Sequence, residues 1–417
     1  GISVEDDSWD EGENYISVNQ ITRSLSDIAG ARAFAVYTPS SSQQLRFGGE
    51  MLYKSYSPEI TSGLELKVPG YKYDDGTEKS CFYDAVEGSL YLEDEFSLFS
   101  FIKANIGARA SIFHTKSKTY AFLEPRVSLK AQCGPSSSFR FSYTEMNQSD
   151  HSIATSYLDL PTDTWMPSTA KIKPIHSKQF AAGFYSRLPF GLDLTVEGWY
   201  KTLEHLYEYG GVASLYPPIH TWETEFTEGR GRSWGLEALA ELQSGPLTAS
   251  VGYTLSWSQR FFEEFYFNWY PDRNDNRHKI DIMVNYRFGK KFELYGGWHF
   301  HSGNNMTGES HLIYNEYGSY TKIYGKPNSL RLPPYHRLDL GFNWYGKTRK
   351  GRDKVLNISL YNAYCRMNPF FASIEPVYVT AINPDTGLEE TEATGKYKGV
   401  AIGIIPIIPS ISYTLKF

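Results

Sequence analysis

The chain closes on IPSISYTLKF, in which Pro409, Ile411, Tyr413, Leu415 and Phe417 alternate with Ser410, Ser412, Thr414 and Lys416. Successive side chains of a strand point to opposite faces, so this period of two describes a strand with one apolar and one polar side, ending on an aromatic. The same period recurs along the whole chain. Ile280, Ile282, Val284, Tyr286 and Phe288 oppose Lys279, Asp281, Asn285 and Arg287, and Leu338, Leu340, Phe342 and Trp344 oppose Asp339 and Asn343. Leu192, Leu194, Val196 and Tyr200 oppose Asp193, Thr195 and Glu197, while Leu356, Ile358 and Leu360 oppose Asn357 and Ser359. A dry core between two sheets does not tolerate charges at this density, whereas a water-filled lumen does. The pattern predicts an all-β chain forming a transmembrane antiparallel β-barrel rather than a soluble β-sandwich. Ile280, Ile282, Leu338, Leu340, Ile358, Ile411 and Leu415 are expected to face lipid, and Asp281, Arg287, Arg337 and Asp339 the lumen.

Composition supports this and removes other classes. Of the 417 residues 16% are aromatic, with 32 Tyr, 25 Phe and 9 Trp, and the mean hydropathy is -0.42. Aromatic girdles around a polar lumen have that balance. No apolar run reaches the ~18 residues of a transmembrane helix; the longest candidate, Val400 to Ile408, contains Pro406 and is followed by Pro409. A net charge of -6 gives no basic footprint for nucleic acid, so none is expected as a partner. Cys81, Cys133 and Cys365 have neither disulfide-framework nor zinc spacing. The opening GISVEDDSWDEGE is acidic and polar, not a signal peptide, which suggests a mature or shortened chain.

Connections of two lengths take turns. Tight links at 38–43, 133–138, 188–191, 243–246, 289–291 and 345–353 alternate with long insertions at 58–80, 148–176, 204–230, 262–276, 303–334 and 381–396. Short periplasmic turns and long extracellular loops alternate in this way in outer-membrane barrels. Counting between them gives about fifteen strands, the first over 21–37 and the last over 397–417. If Phe417 marks the periplasmic end, the first strand runs downward from an extracellular loop. A single-chain barrel has an even strand number, so the expectation is the C-terminal part of a larger barrel.

Ten segments in order carry a family likeness: LEPRVSLK (123–130), FRFSYTEMNQ (139–148), LPTDTWMPST (160–169), IKPIHSKQFAAGFY (172–185), GRGRSWGLEAL (229–239), YTLSWSQR (253–260), NDNRHKIDI (274–282), PPYHRLDLGFNW (333–344), ISLYNAYCRMNPF (358–370) and IPIIPSISYTLKF (405–417). Together they resemble the barrel of Bacteroidetes TonB-dependent outer-membrane receptors. The resemblance implies a 22-stranded barrel in the Gram-negative outer membrane, with a plug, a TonB box and often a small carboxypeptidase-regulatory-like domain preceding it. Residues 1–417 match barrel alone, with nothing resembling plug or TonB box. The implied function is active uptake of a scarce nutrient: siderophore, cobalamin, glycan or peptide. The implied partners are outer-membrane lipid, the TonB complex acting through the missing plug, a small ligand and a surface lipoprotein. A passive porin-like channel and an outer-membrane barrel enzyme are the alternatives.

Candidate ligand contacts lie in the insertions. HLYEYGGVASLYPPIHTWETEF presents Tyr207, Tyr209, Tyr216, His220 and Trp222, whose rings suit sugars, aromatic siderophores or apolar nutrients. Trp165 in TDTWMPST and Trp269 in RFFEEFYFNWYPD complete the set. The competing reading of all these rings is an interface girdle with loop packing. Asp74, Asp75 and Glu78 surround Gly76 in an oxygen-rich turn without the ligand spacing of a calcium loop, so no metal is expected. Asp272, Asp275, Arg277 and His278 read as a salt-bridged anchor. No nucleophile, metalloprotease or phosphate-loop motif occurs, and neither catalytic residues nor a cofactor are expected. A Ser/His pair at the outer rim is what the enzyme alternative would need.

Overall fold

A computed structural model describes residues 3–4, 15–68, 71–80, 82–153, 164–209, 222–224, 226–264, 266–314, 320–382, 389–403 and 405–416. Side chains are described at 25–57, 82–152, 165–208, 223–224, 226–264, 266–308, 325–369, 398–403 and 405–416, and at four positions between 372 and 379.

Fifteen strands follow one another in a single antiparallel series: β1 Tyr15–Ser40, β2 Gln43–Val68, β3 Tyr83–Phe99, β4 Ile102–Thr115, β5 Thr119–Gln132, β6 Ser137–Gln148, β7 Ile175–Leu188, β8 Leu192–Tyr209, β9 Phe226–Ser244, β10 Leu247–Phe262, β11 His278–Phe288, β12 Phe292–His301, β13 Tyr335–Lys347, β14 Asp353–Tyr361 and β15 Ile408–Leu415. Three short pieces, Ser3–Val4, Tyr71–Ser80 and Tyr266–Pro271, lie along β1, β2 and β10 and complete an 18-stranded sheet. Among the described residues β1 and β15 are not paired with each other.

At one end every link is short: 41–42, 100–101, 133–136, 189–191, 245–246, 289–291 and 348–352. Gly245 (φ 57°) and Gly289 (φ 61°) take the left-handed conformation that such turns require. Long links gather at the other end, with 116–118 as the short exception. The insertions are largely β-ribbon rather than open loop. Asp150–Ile153 pairs with Thr164–Pro167, Glu309–Tyr314 with Tyr320–Tyr324, and Pro369–Ile382 with Glu389–Gly403. Ribbons satisfy backbone donors and acceptors that a bare loop leaves to water.

Three expectations change. The insertion at 58–80 is a ribbon, because β1 and β2 stay paired out to Tyr15 and Lys67. The oxygen-rich segment around Gly76, expected as a turn, is strand, with Gly76 opposite Gly63. The expected closing strand over 397–417 is two elements, since Glu389–Gly403 belongs to the outer ribbon and β15 starts only at Ile408. Pro406, without an N–H, sits in the break.

The two faces of the sheet differ as the alternation requires. Large apolar side chains lie open on the outer face, including Leu90 (71% exposed), Leu123 (67%) and Ile411 (71%), a distribution that lipid accommodates and water does not. On five neighbouring strands aromatics stand directly opposite one another: Tyr143 (β6), Phe180 (β7), Tyr200 (β8), Trp234 (β9) and Trp257 (β10). One pair nearer the turns the row reads Phe141, Ala182, Gly198, Leu236, Leu255, and one pair nearer the long insertions it reads Glu145, Lys178, Thr202, Arg232, Gln259. The change from apolar to polar therefore falls at one step on all five strands, with aromatics at the boundary, as at a membrane interface.

The inner face is polar and cross-linked. Asp281 meets His299 at 2.8 Å, His299 approaches Asp339 at 3.9 Å, and Arg337 pairs with Asp339 at 2.8 Å. Arg287 lies over the Tyr345 ring at 4.9 Å. The four charges expected in the lumen thus find partners there. Gly341 leaves room for the Tyr295 ring, whose Cζ would stand 2.0 Å from a Cβ built at that position.

Candidate functional site

The outer mouth is built where insertions fold back onto strand tips. On the side of β2 to β7, residues 165–173 follow the Asp150–Ile153 ribbon and meet inward-facing side chains. Lys54 bridges Glu87 at 2.8 Å and Asp150 at 2.7 Å, and Tyr56 donates to the same Asp150 carboxylate. Tyr120 donates its hydroxyl to the Thr169 carbonyl at 2.6 Å. Under these contacts Tyr56, Ala85 and Phe113 form one buried cluster and Met166 and Ile172 another, with Tyr83 packed against both.

His151 sits in this packing. Its Nε2 lies 2.9 Å from Ser168 Oγ, and Tyr207 meets it edge-on at 5.5 Å. Burial pushes its pKa down to about 4, so the ring is neutral at pH 7, accepting at one nitrogen and donating at the other. This is a Ser/His contact at the rim, the pair that the enzyme alternative needed. Ser168, however, is 0% exposed, and no substrate carbonyl reaches its oxygen. The pair ties the 165–173 segment to the ribbon.

Tyr207 belongs to the same packing. Its hydroxyl accepts from the Lys173 N–H at 2.9 Å and stands 3.3 Å from Glu228, and burial pushes its pKa up to about 12. Trp165 lies in the strand opposite Ser152 and is 42% exposed, so its ring is open at the mouth. Trp269 is elsewhere: it packs on Phe261 at 5.7 Å and under Arg232 at 4.2 Å, continuing the outward row of Trp234. Tyr209 ends β8 opposite Phe226, and Trp222 opens a short turn, but their side chains, like Tyr216 and His220, lie outside the described residues.

On the side of β9 to β13 the mouth is held by charge. Asp275, 2% exposed, accepts from the Ser258 N–H at 2.8 Å and from Arg277 and Arg331 at 3.0 Å each. Asp272 pairs with Arg260, and His278 meets the Tyr253 hydroxyl at 2.9 Å, so the expected anchor is there with Arg331 added. Tyr270 donates to Glu208 at 3.0 Å, and burial together with that carboxylate raises its pKa.

Below the mouth the lumen wall has two characters. A cavity of about 640 Å³ is lined by Asp193, Glu241, Asn285, Tyr295, His299 and Asp339, and one of about 510 Å³ by Arg32, Arg46, Arg109 and Arg126 with Glu50 and Glu93. Arg109 reaches Glu50 at 3.3 Å, yet the Nε atoms of Arg109 and Arg126 are buried without a partner among the described residues. Among the described residues no group of His, Cys, Asp and Glu is gathered to hold a metal.

Residues 5–363 match the family described as TonB dependent receptor-like, beta-barrel. The chain belongs to that family. Its barrel lies in the outer membrane of a Gram-negative cell, crossing with strands; no described helix is long and apolar enough to cross. No curated protein sequence matches it. Solved structures share the fold at low identity. The ferric yersiniabactin uptake receptor FyuA from Yersinia pestis matches with a TM-score of 0.61 at 12% identity, covering 96% of this chain and 56% of that one. BauA, the ferric preacinetobactin receptor from Acinetobacter baumannii, matches at 0.57 and 12%, covering 96% and 56%. The ferripyoverdine receptor of Pseudomonas aeruginosa matches at 0.56 and 13%, covering 88% and 48%. The chain spans about half the length of the structures it matches.

Proposed function

We propose that this chain is the barrel portion of a receptor that takes up a scarce small nutrient through the outer membrane, driven by the TonB complex. The observation that carries the reading is the division of one continuous antiparallel sheet into an open apolar face and a cross-linked polar one, in a member of this family. The rest of a 22-stranded barrel, a plug and a TonB box then belong to the remainder of the protein. Ferric siderophore is the first nutrient class to try, since it is the class named for FyuA and BauA; cobalamin, glycan and peptide follow. In the mouth Trp165, Tyr209, Tyr216, His220 and Trp222 are the ligand contacts, and the arginine-lined cavity below receives anionic groups on the ligand.

The test is uptake by cells carrying the complete receptor at nutrient concentrations too low for diffusion to matter. Deleting TonB should abolish uptake. Uptake that persists without TonB and rises linearly with concentration would establish the passive channel instead.

A further inference from the structure

The short links at the turn end carry very unequal charge. Links 41–42, 100–101, 133–136, 189–191 and 245–246 hold no charged residue, and what they expose is apolar, with Phe101 and Phe190 54% and 89% open. In the last two links, 289–291 and 348–352, five of the eight residues are cations: Lys290, Lys291, Arg349, Lys350 and Arg352. Lys347 and Lys416 flank them, and Asp353, 3.7 Å from Lys347, is the carboxylate beside them. Lys290, Lys291, Arg349 and Lys350 are exposed and make no side-chain hydrogen bond or ion pair among the described residues. Backbone hydrogen bonds knit these strand ends into one platform. The Tyr345 N–H donates to the Lys291 carbonyl at 2.8 Å, the Lys416 N–H to the Asp353 carbonyl at 2.9 Å, and the Thr348 N–H to the Arg352 carbonyl at 2.8 Å, with Gly351 (φ 79°) turning the chain between the last two.

The 345–353 hairpin also projects past its neighbours. β13 and β14 stay paired out to Lys347 and Asp353, while β12 begins only at Phe292, opposite Trp344. The outward rings of Phe288, Phe292 and Trp344 mark the apolar boundary at this end, and Lys354 lies over the Trp344 ring at 5.1 Å. Lys347 stands three residues beyond Trp344, which is about 10 Å of strand and about 8 Å of height on a strand tilted by about 40°. A headgroup layer is roughly 5–7 Å deep, so Arg349 and Lys350 at the tip reach the water beyond it. Cations serving headgroups would ring the barrel at its boundary, whereas these are gathered on one hairpin that overshoots it. We infer that this hairpin docks on a carboxylate-bearing polymer of the periplasm, the peptide stems of the cell wall. Short links of an outer-membrane barrel face the periplasm, and guanidinium and ammonium groups on a fixed platform suit carboxylates repeated along a polymer. The inference rests on the outer-membrane placement and is independent of TonB and of the nutrient carried.

The test sediments the complete receptor, in nonionic detergent, with purified protein-free cell-wall sacculi. The receptor should travel with the sacculi, and converting the sacculus carboxylates to amides should abolish this. Arg349→Gln combined with Lys350→Gln should weaken binding about ten-fold, while Arg187→Gln beside the β7–β8 link should leave it unchanged. Neither tip side chain has a partner among the described residues, so the double variant keeps its fold. Binding that survives amidation or the double variant would overturn the proposal. So would binding to vesicles containing phosphatidylglycerol but not to sacculi, which would make the hairpin a headgroup contact. TonB-dependent nutrient uptake by cells carrying the double variant should stay at the wild-type level, so the cell-wall contact and the transport reading fail separately. Loss of uptake with sacculus binding intact would assign the hairpin to the TonB complex instead.

Discussion

The two halves of the outer mouth are anchored by opposite means. Beside β2 to β7 the 165–173 segment is held by apolar burial at Met166 and Ile172, packed with Tyr83, Tyr207 and Phe226, beside a neutral His151. Beside β9 to β13 the connections converge on a buried carboxylate, Asp275, with two guanidiniums and an amide on it. Apolar contact is undirected and tolerates sliding, whereas three donors on one carboxylate fix a geometry. The first half is thus a packed cover whose hold depends on pH, and the second a rigid frame whose hold depends on one residue.

The largest effect should come from the frame. Asp275→Ala strands Arg277 and Arg331 and costs about 4 kcal/mol of local stability, read as lost hydrogen-exchange protection at 256–278 and 328–332 with none lost at 165–173. Ile172→Ala should cost about 3 kcal/mol on the other side and deprotect 165–173 alone. Loss of protection in both halves from either variant would show that they form one unit.

Acid should separate them further. The folded pKa of His151 lies below the free value of 6.5, so its contribution is complete above about pH 6.5 and is lost as pH falls toward 4. At pH 5 the packed side should be weaker by about 2 kcal/mol, and His151→Gln should flatten that dependence. The smallest effect belongs to Lys173→Ala, under about 1 kcal/mol, because its pair with Glu228 is largely exposed.

The strands and their faces were legible because alternation is a local signal: Ile280 to Phe288 declares its outer face without reference to any partner. Turn positions were legible where a glycine must take a left-handed conformation, as at Gly245 and Gly289. The aromatic row was not, since Tyr143, Phe180, Tyr200, Trp234 and Trp257 become neighbours only through register across five strands. His151 and Ser168 give no warning of each other across an intervening insertion. The ring at Trp269 was visible as a belt residue, yet only its pairing alongside β10 shows that it faces outward. Residues 397–403 alternate like a barrel strand because a ribbon in water and a strand in lipid share one period.

The aromatic row does not run parallel to the line of the strand ends. Tyr143 stands 6 residues from Ser137, the turn-side start of β6, whereas Trp257 stands 10 residues from Leu247, the start of β10. With strands tilted by about 40°, those four residues amount to roughly 10 Å of height. The tilt itself demands this, because residues directly opposite one another on neighbouring tilted strands climb by about 3 Å per strand, so the aromatic row rises obliquely from β6 to β10.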